Sequence, residues 1–195
     1  MRAFSVALAL LMVLAVHGSP AQGAPRTPCE RVSGKTRADG RLVRVLSRDG
    51  RLYACDRATR RRVLLDIYGC EPDSCAVAEV HVAGSYVAWV RQVSGRLESA
   101  DHISVAAVPS GRIISEFLDA PGPVTDLVVR ANGASAWIMD VSIGAERAHR
   151  VERASARGTL SLLARGADID PLSLRRDGSR VSWLQGGARH FAALP

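Results

Sequence analysis

The sequence predicts an all-β fold, a β-propeller-like array of about four short antiparallel blades, closed into a four-bladed ring or left as an open arc. Three observations predict it. The segments ADGRLVRV, VAGSYVAW, ANGASAW and RDGSRVSW end on Val45, Trp89, Trp137 and Trp183, which lie 44, 48 and 46 residues apart, and Gly40, Gly84, Gly133 and Gly178 keep nearly the same step. Apolar runs of strand length follow these glycines, and the runs are bounded by Gly, Pro, Ser and Asp. No stretch beyond the first 23 residues holds helical periodicity over three turns. A period of about 40 to 50 residues built from short strands is the length of one propeller blade, four strands with their turns.

Taken in chain order, the first segment stands outside the fold. Residues 1–23 carry one arginine and no acid, an uninterrupted apolar run from Val6 to Val16, and then small residues. That is the pattern of a secretory signal peptide, with cleavage expected after Ala21 or Gly23. The run is too short for the roughly 20 residues of a membrane-spanning helix, and no later stretch reaches that length. Residues 24–195 then form one domain, about 172 residues with a core of its own. Its repeat units run roughly 29–70, 76–120, 121–166 and 167–195. The expected location is secreted or within the periplasmic or cell-envelope space.

In the first unit, strands are expected at Leu42 to Leu46, Arg51 to Cys55 and Arg62 to Asp66, with an innermost strand from the arm near Glu30 to Val32. The segment RDGRLYAC, Arg48 to Cys55, fits the repeat there as well as ADGRLVRV does. In the second unit they fall at Glu79 to Val82, Tyr86 to Gln92, Ile103 to Val108 and Arg112 to Phe117. In the third they fall at Asp126 to Arg130, Ala134 to Val141, Ala148 to Arg153 and Thr159 to Leu163. The last unit ends with a third strand, His190 to Leu194. The second strands are the most apolar, as in Tyr86-Val87-Ala88-Trp89-Val90, a pattern that fits a strand covered on both faces. Trp89, Trp137 and Trp183 at equivalent places in these strands read as blade-to-blade packing rather than as a sugar-stacking platform.

The stretch DPLSLRRDGSRVSWL, Asp170 to Leu184, resembles the TolB-type β-propeller repeat through Pro171, Leu174, Asp177-Gly178, Val181 and Trp183. It departs from that signature at Arg176, where the repeat has proline, and at Leu174, where it has an aromatic. The second and third copies keep the glycine, the apolar strand and the tryptophan. The resemblance implies a fold and a binding role; it implies no particular reaction. Both terminal units read as incomplete, so the ends either complete one another or leave an arc with exposed edges.

All four cysteines, Cys29, Cys55, Cys70 and Cys75, lie in the first half of the chain. An even count in an exported protein reads as two disulfides, expected as Cys29 with Cys55 and Cys70 with Cys75. A bound metal would want close Cys or His pairs such as C-x-x-C, which are absent, so neither metal nor cofactor is expected. SGKT, Ser33 to Thr36, lacks the first glycine of a phosphate loop and reads as a polar turn. His81, His102, His149 and His190 are dispersed and read as surface or turn residues, and Asp168 and Asp170 as turn or capping residues.

The net charge of +7 falls to +6 once the signal's arginine is removed, and Lys35 is the only lysine. Such a surface favours anionic partners without naming one. The run Arg57, Arg60, Arg61 and Arg62 is the candidate contact for an anionic partner, although a solvated turn explains it equally simply. No aromatics interleave it, which argues against nucleic acid. The expected function is therefore an exported, non-catalytic binding or interaction module whose partner is a protein or an anionic envelope polymer. Two alternatives stand beside it. One is a propeller-type hydrolase of an envelope or extracellular polymer, which would gather two or more acids in one pocket. The other is a structural fragment of a larger propeller.

Overall fold

The computed structural model describes residues 29–65, 75–94, 99–120, 122–143 and 146–195. The expected signal peptide and Cys70 lie outside the described residues. The first blade comprises β1 (Lys35–Asp39), β2 (Val43–Arg48), β3 (Arg51–Asp56) and β4 (Arg61–Leu64). The second comprises β5 (Cys75–Ala83), β6 (Tyr86–Ser94), β7 (Ser99–Ala107) and β8 (Arg112–Ala120). The third holds β9 (Val124–Val129), β10 (Ser135–Ile143), β11 (Glu146–Ala154) and β12 (Leu160–Gly166). The fourth has three strands, β13 (Arg175–Asp177), β14 (Arg180–Gln185) and β15 (Ala188–Ala193). Each sheet is an antiparallel meander in which every strand pairs with the next in the chain. The fold is thus all-β and blade-like, as the period implies.

The repeat glycines make the turns. Gly178 has φ +55° between the paired residues Asp177 and Arg180, a two-residue hairpin that needs the left-handed conformation. Gly133 answers a second demand, since a side chain there would collide with Tyr86 and Ile114 of the preceding blade.

Hydrophobic clusters join the blades in chain order. Val43, Val45, Leu52 and Ala54 of the first blade pack with Val87, Trp89 and Ala106 of the second. Ala88, Val90, Ile103 and Val105 pack with Leu127, Trp137 and Met139 of the third. Ala134, Ala136, Ile138 and Val151 pack with Val181, Trp183 and Leu194 of the fourth. Each tryptophan therefore points back toward the blade before it, and all three are buried. Each buries on the order of 200 Å², worth about 5 kcal/mol of transfer free energy. Among the described residues, no strand pairing or hydrophobic cluster joins the fourth blade to the first, so the array is open there.

Two expectations about the N-terminal arm need correction. The first blade's innermost strand is β1, and Cys29–Arg31 is a 3-10 turn, so Lys35 and Thr36 of SGKT belong to a strand. Val45 matches Trp89 in spacing from its glycine but faces the following blade, not the preceding one. The turn Gly40-Arg41-Leu42 has one residue more than Gly84-Ser85, and a shift of one residue moves a side chain to the other face. The four histidines sit in strands β5, β7, β11 and β15, with His190 exposed and the other three half-buried.

Candidate binding surface

The arginine run identified in the sequence is dispersed by the fold. Arg57 donates to Asp39 Oδ1 at 2.7 Å and to the Gly40 carbonyl at 2.6 Å, tying the turn after β3 to the first hairpin. Arg60 occupies the turn itself, at φ +56°. Arg61 and Arg62 are adjacent in β4 and so face opposite sides, with Arg62 lying over the Tyr53 ring at 4.9 Å. Buried Asp56 organises the same turn by accepting from the Ala58 and Thr59 amides at 2.9 and 3.3 Å.

The cysteines behave as expected where they are described. Cys29 and Cys55 are bonded, with Cα atoms 5.5 Å apart, and Cys75 is also in a disulfide. The Cys29–Cys55 bond draws the N-terminal arm over the outward side of the first blade, where Leu46 and Cys55 are each 1% exposed. Arg44 donates to the Cys29 carbonyl and to Thr36 Oγ1, and Arg48 donates to Ser33 Oγ. The arginines on this side therefore hold the arm.

Two acids make hydrogen bonds between blades. Asp101 Oδ2 accepts the Val124 amide at 2.7 Å, and Asp126 Oδ2 accepts the Leu174 amide at 2.9 Å, so each carboxylate fixes the entry of a following segment. Burial pushes both acids above the ordinary value of 3.8, with the charge of Glu79 adding to the effect and the amide hydrogen bonds opposing it. Arg175 approaches Asp126 at 3.8 Å. Among the described residues no group of three or more His, Cys, Asp or Glu side chains could hold a metal ion. Asp170 serves its turn as expected, accepting the Leu172 amide at 3.0 Å, and Asp168 accepts from Gln185 Nε2.

What remains is a surface that the sequence reading passed over, the outward side of the fourth blade. Val181 and Trp183 face the third blade, so the alternate residues Arg180, Ser182 and Leu184 face away from it. Cross-strand pairing puts Arg175 of β13 and Phe191 of β15 on that outward side, both beside Ser182. Arg189, which pairs with Leu184, donates to Ser182 Oγ at 3.0 Å, and Arg180 lies over the Phe191 ring at 4.7 Å. Phe191 is 47% exposed. Strands β13 to β15 carry Arg175, Arg176, Arg180 and Arg189 against the single acid Asp177. A signal for this face was present: Tyr86, Ala88 and Val90 of the second copy correspond to Arg180, Ser182 and Leu184 of the last.

No protein-family model matches the chain, and no curated protein sequence does. Among solved structures, one from a structural and mechanistic study of two prolyl endopeptidases is similar to it over 77% of this chain and 27% of its own, with 14% identity and a TM-score of 0.48. The chain thus spans about a quarter of that structure's length.

Proposed function

We propose that this chain is an exported, non-catalytic binding module of the TolB-like propeller type, and that it holds a protein or an anionic envelope polymer against its fourth blade. The observation that carries the reading is the outward side of that blade, where Arg180 lies over a half-exposed Phe191 and Arg189 donates to the neighbouring Ser182, with no further blade upon them among the described residues. A guanidinium pairs with carboxylate or phosphate, and an exposed ring supplies apolar contact, so the combination suits an anionic partner with some apolar character. Export is supported by the disulfides and by the signal-like first 23 residues. The TolB-like character rests on Pro171, Leu174, Asp177-Gly178, Val181 and Trp183.

The test uses defined probes. Polyglutamate and a sulfated polysaccharide are titrated into the purified, oxidised chain at low salt and again at about 0.5 M, where charge is screened within a few ångströms. Binding is expected to weaken with salt and to be lost in the double variant Arg180→Ser, Arg189→Ser. Binding of equal strength at both salt concentrations, or unchanged in the variant, would overturn the reading.

A further inference from the structure

We propose that β15 is a docking edge that accepts an extended, acidic segment of a partner protein as the fourth strand of the last blade. This rests on the binding-module reading and names its partner class. In the other blades the third strand pairs on both sides, β3 with β2 and β4, β7 with β6 and β8, and β11 with β10 and β12. In the fourth blade β15 holds the third place and, among the described residues, pairs with β14 alone. Its residues are exposed from Ala188 to Phe191.

The free edge can be specified atom by atom. The Leu194 amide donates to the Ser179 carbonyl at 2.8 Å. Alternation along an antiparallel ladder then turns the N–H and C=O groups of Ala188, His190 and Ala192 toward β14, and those of Arg189, Phe191 and Ala193 toward open solvent. Arg153 Nη1 meets the Ala193 carbonyl, which leaves the amides of all three residues and the carbonyls of Arg189 and Phe191 for a new strand.

The outermost strands of the other blades carry features that hinder such pairing. β4 is four residues long and holds Arg61 and Arg62. The ladders of β8 and β12 are interrupted by register shifts. β15 is six residues long, contains no proline, and pairs with β14 in unbroken register from Ala193 to Ala188. Short length, charge and bulges are the usual means of blunting an edge, and of these β15 has only charge.

That charge selects the occupant. A second copy of β15 would add its own Arg189 and Arg180 to a face that is already positive, which like-charge repulsion opposes. A strand with acidic residues at alternate positions puts them on the side of Arg180, Arg189 and Phe191, because alternate side chains share a face. At the Ala193 end, Arg153 lines a pocket of about 450 Å³ together with Ser155, Arg157, Thr159 and Ser161. Arg157 thus adds a further guanidinium at that end of the edge. Strand addition of this kind takes affinity from main-chain hydrogen bonds and selectivity from alternate side chains.

The probe is a fluorescein-labelled peptide alternating Glu with Thr, used beside its Gln-for-Glu analogue and two isomers N-methylated on alternate residues in either phase. Fluorescence anisotropy with the oxidised chain is expected to show saturable binding of the parent, with loss in the Gln analogue. One N-methyl isomer should fall by about tenfold or more, equivalent to about 1.4 kcal/mol, while the other is affected less. Hydrogen exchange should show new protection at the amides of Arg189, Phe191 and Ala193 on peptide addition. Ala193→Pro, which removes an outward amide rather than a ladder donor, should weaken the parent peptide.

If both N-methyl isomers bind as well as the parent while the Gln analogue fails, strand addition is overturned and anion binding stands. Binding of sulfated polysaccharide without binding of the parent peptide overturns it in the same way. If neither the peptide nor any anionic probe binds, the binding-module reading fails with it. Sedimentation that detects a dimer abolished by Ala193→Pro would assign the edge to a second copy and overturn the acidic partner.

Discussion

The first and fourth blades each stand at an end of the array, and among the described residues each has one side without a neighbouring blade. On the first blade that side is apolar at its centre, where Leu46 and Cys55 lie beneath the arm that the Cys29–Cys55 disulfide draws over them. On the fourth, the corresponding side is arginine-rich and open, with Phe191 partly shielded by Arg180. Stacked repeats must end on a surface that water tolerates, and this chain meets that requirement once with a covalent cover and once with charge. The arginines differ accordingly. Arg44 and Arg48 hold the arm, whereas Arg180 and Arg189 contact a ring and a hydroxyl. One end is built for stability and the other leaves charge available for a partner.

The largest effect that sharpens this comparison should come from the disulfide. Replacing Cys29 and Cys55 with serine opens a loop with sequence separation 26, and the loop-entropy relation gives a loss of about 3.5 kcal/mol. Urea unfolding measures it, and a loss under about 1 kcal/mol would show that the arm does not secure the first blade. Next, Leu46→Ala is expected to cost about 3 kcal/mol, because a fully buried leucine leaves both a transfer loss and a cavity. Phe191→Ala should cost under about 1 kcal/mol, being nearly half exposed. Equal losses at the two positions would erase the distinction between the covered and open ends.

A third expectation concerns the acid that links the third blade to the fourth. Asp126 is raised in the fold above its ordinary 3.8, chiefly by burial, so the native state binds its proton more tightly than the unfolded chain does. Its contribution is complete below 3.8 and declines as pH rises through the folded value. Asp126→Asn keeps an acceptor oxygen and does not titrate. The stability of the native protein relative to that variant should therefore fall as pH rises from below 3.8 through the folded value, as followed by denaturant midpoints. A relative stability that rises over this range would assign the carboxylate a different environment. The smallest stability effect is expected for Arg180→Ser with Arg189→Ser, within about 0.5 kcal/mol, since both side chains are exposed. A large thermal shift in that variant would make these arginines part of the fold's own support.

Much of the architecture was legible because backbone periodicity is a local property. The glycine steps and the apolar second strands marked β6, β10 and β14, and the spacing of Trp89, Trp137 and Trp183 marked the blade interfaces. The Cys29–Cys55 pairing was likewise anticipated and is present. One error arose at the N-terminal arm, where Glu30 to Val32 was taken for the strand that Lys35–Asp39 supplies. An extra turn residue after Gly40 puts Val45 on the face opposite to that of Trp89. Arg57, Arg60, Arg61 and Arg62 are neighbours in sequence, but a turn and the two-residue alternation of a strand separate their side chains.

By itself the sequence determined the repeat, the strand character of its units and the residues able to form the blade cores. These follow from local turn chemistry and from apolar patterning that each segment carries alone. The tertiary structure decided which arginines act together. Arg180, Arg189 and Phe191 come from two strands and meet only because the β14–β15 ladder places them on one side. It also decided that the last blade has a free edge, since a strand's pairing partners are set by the whole array and not by the strand's own residues.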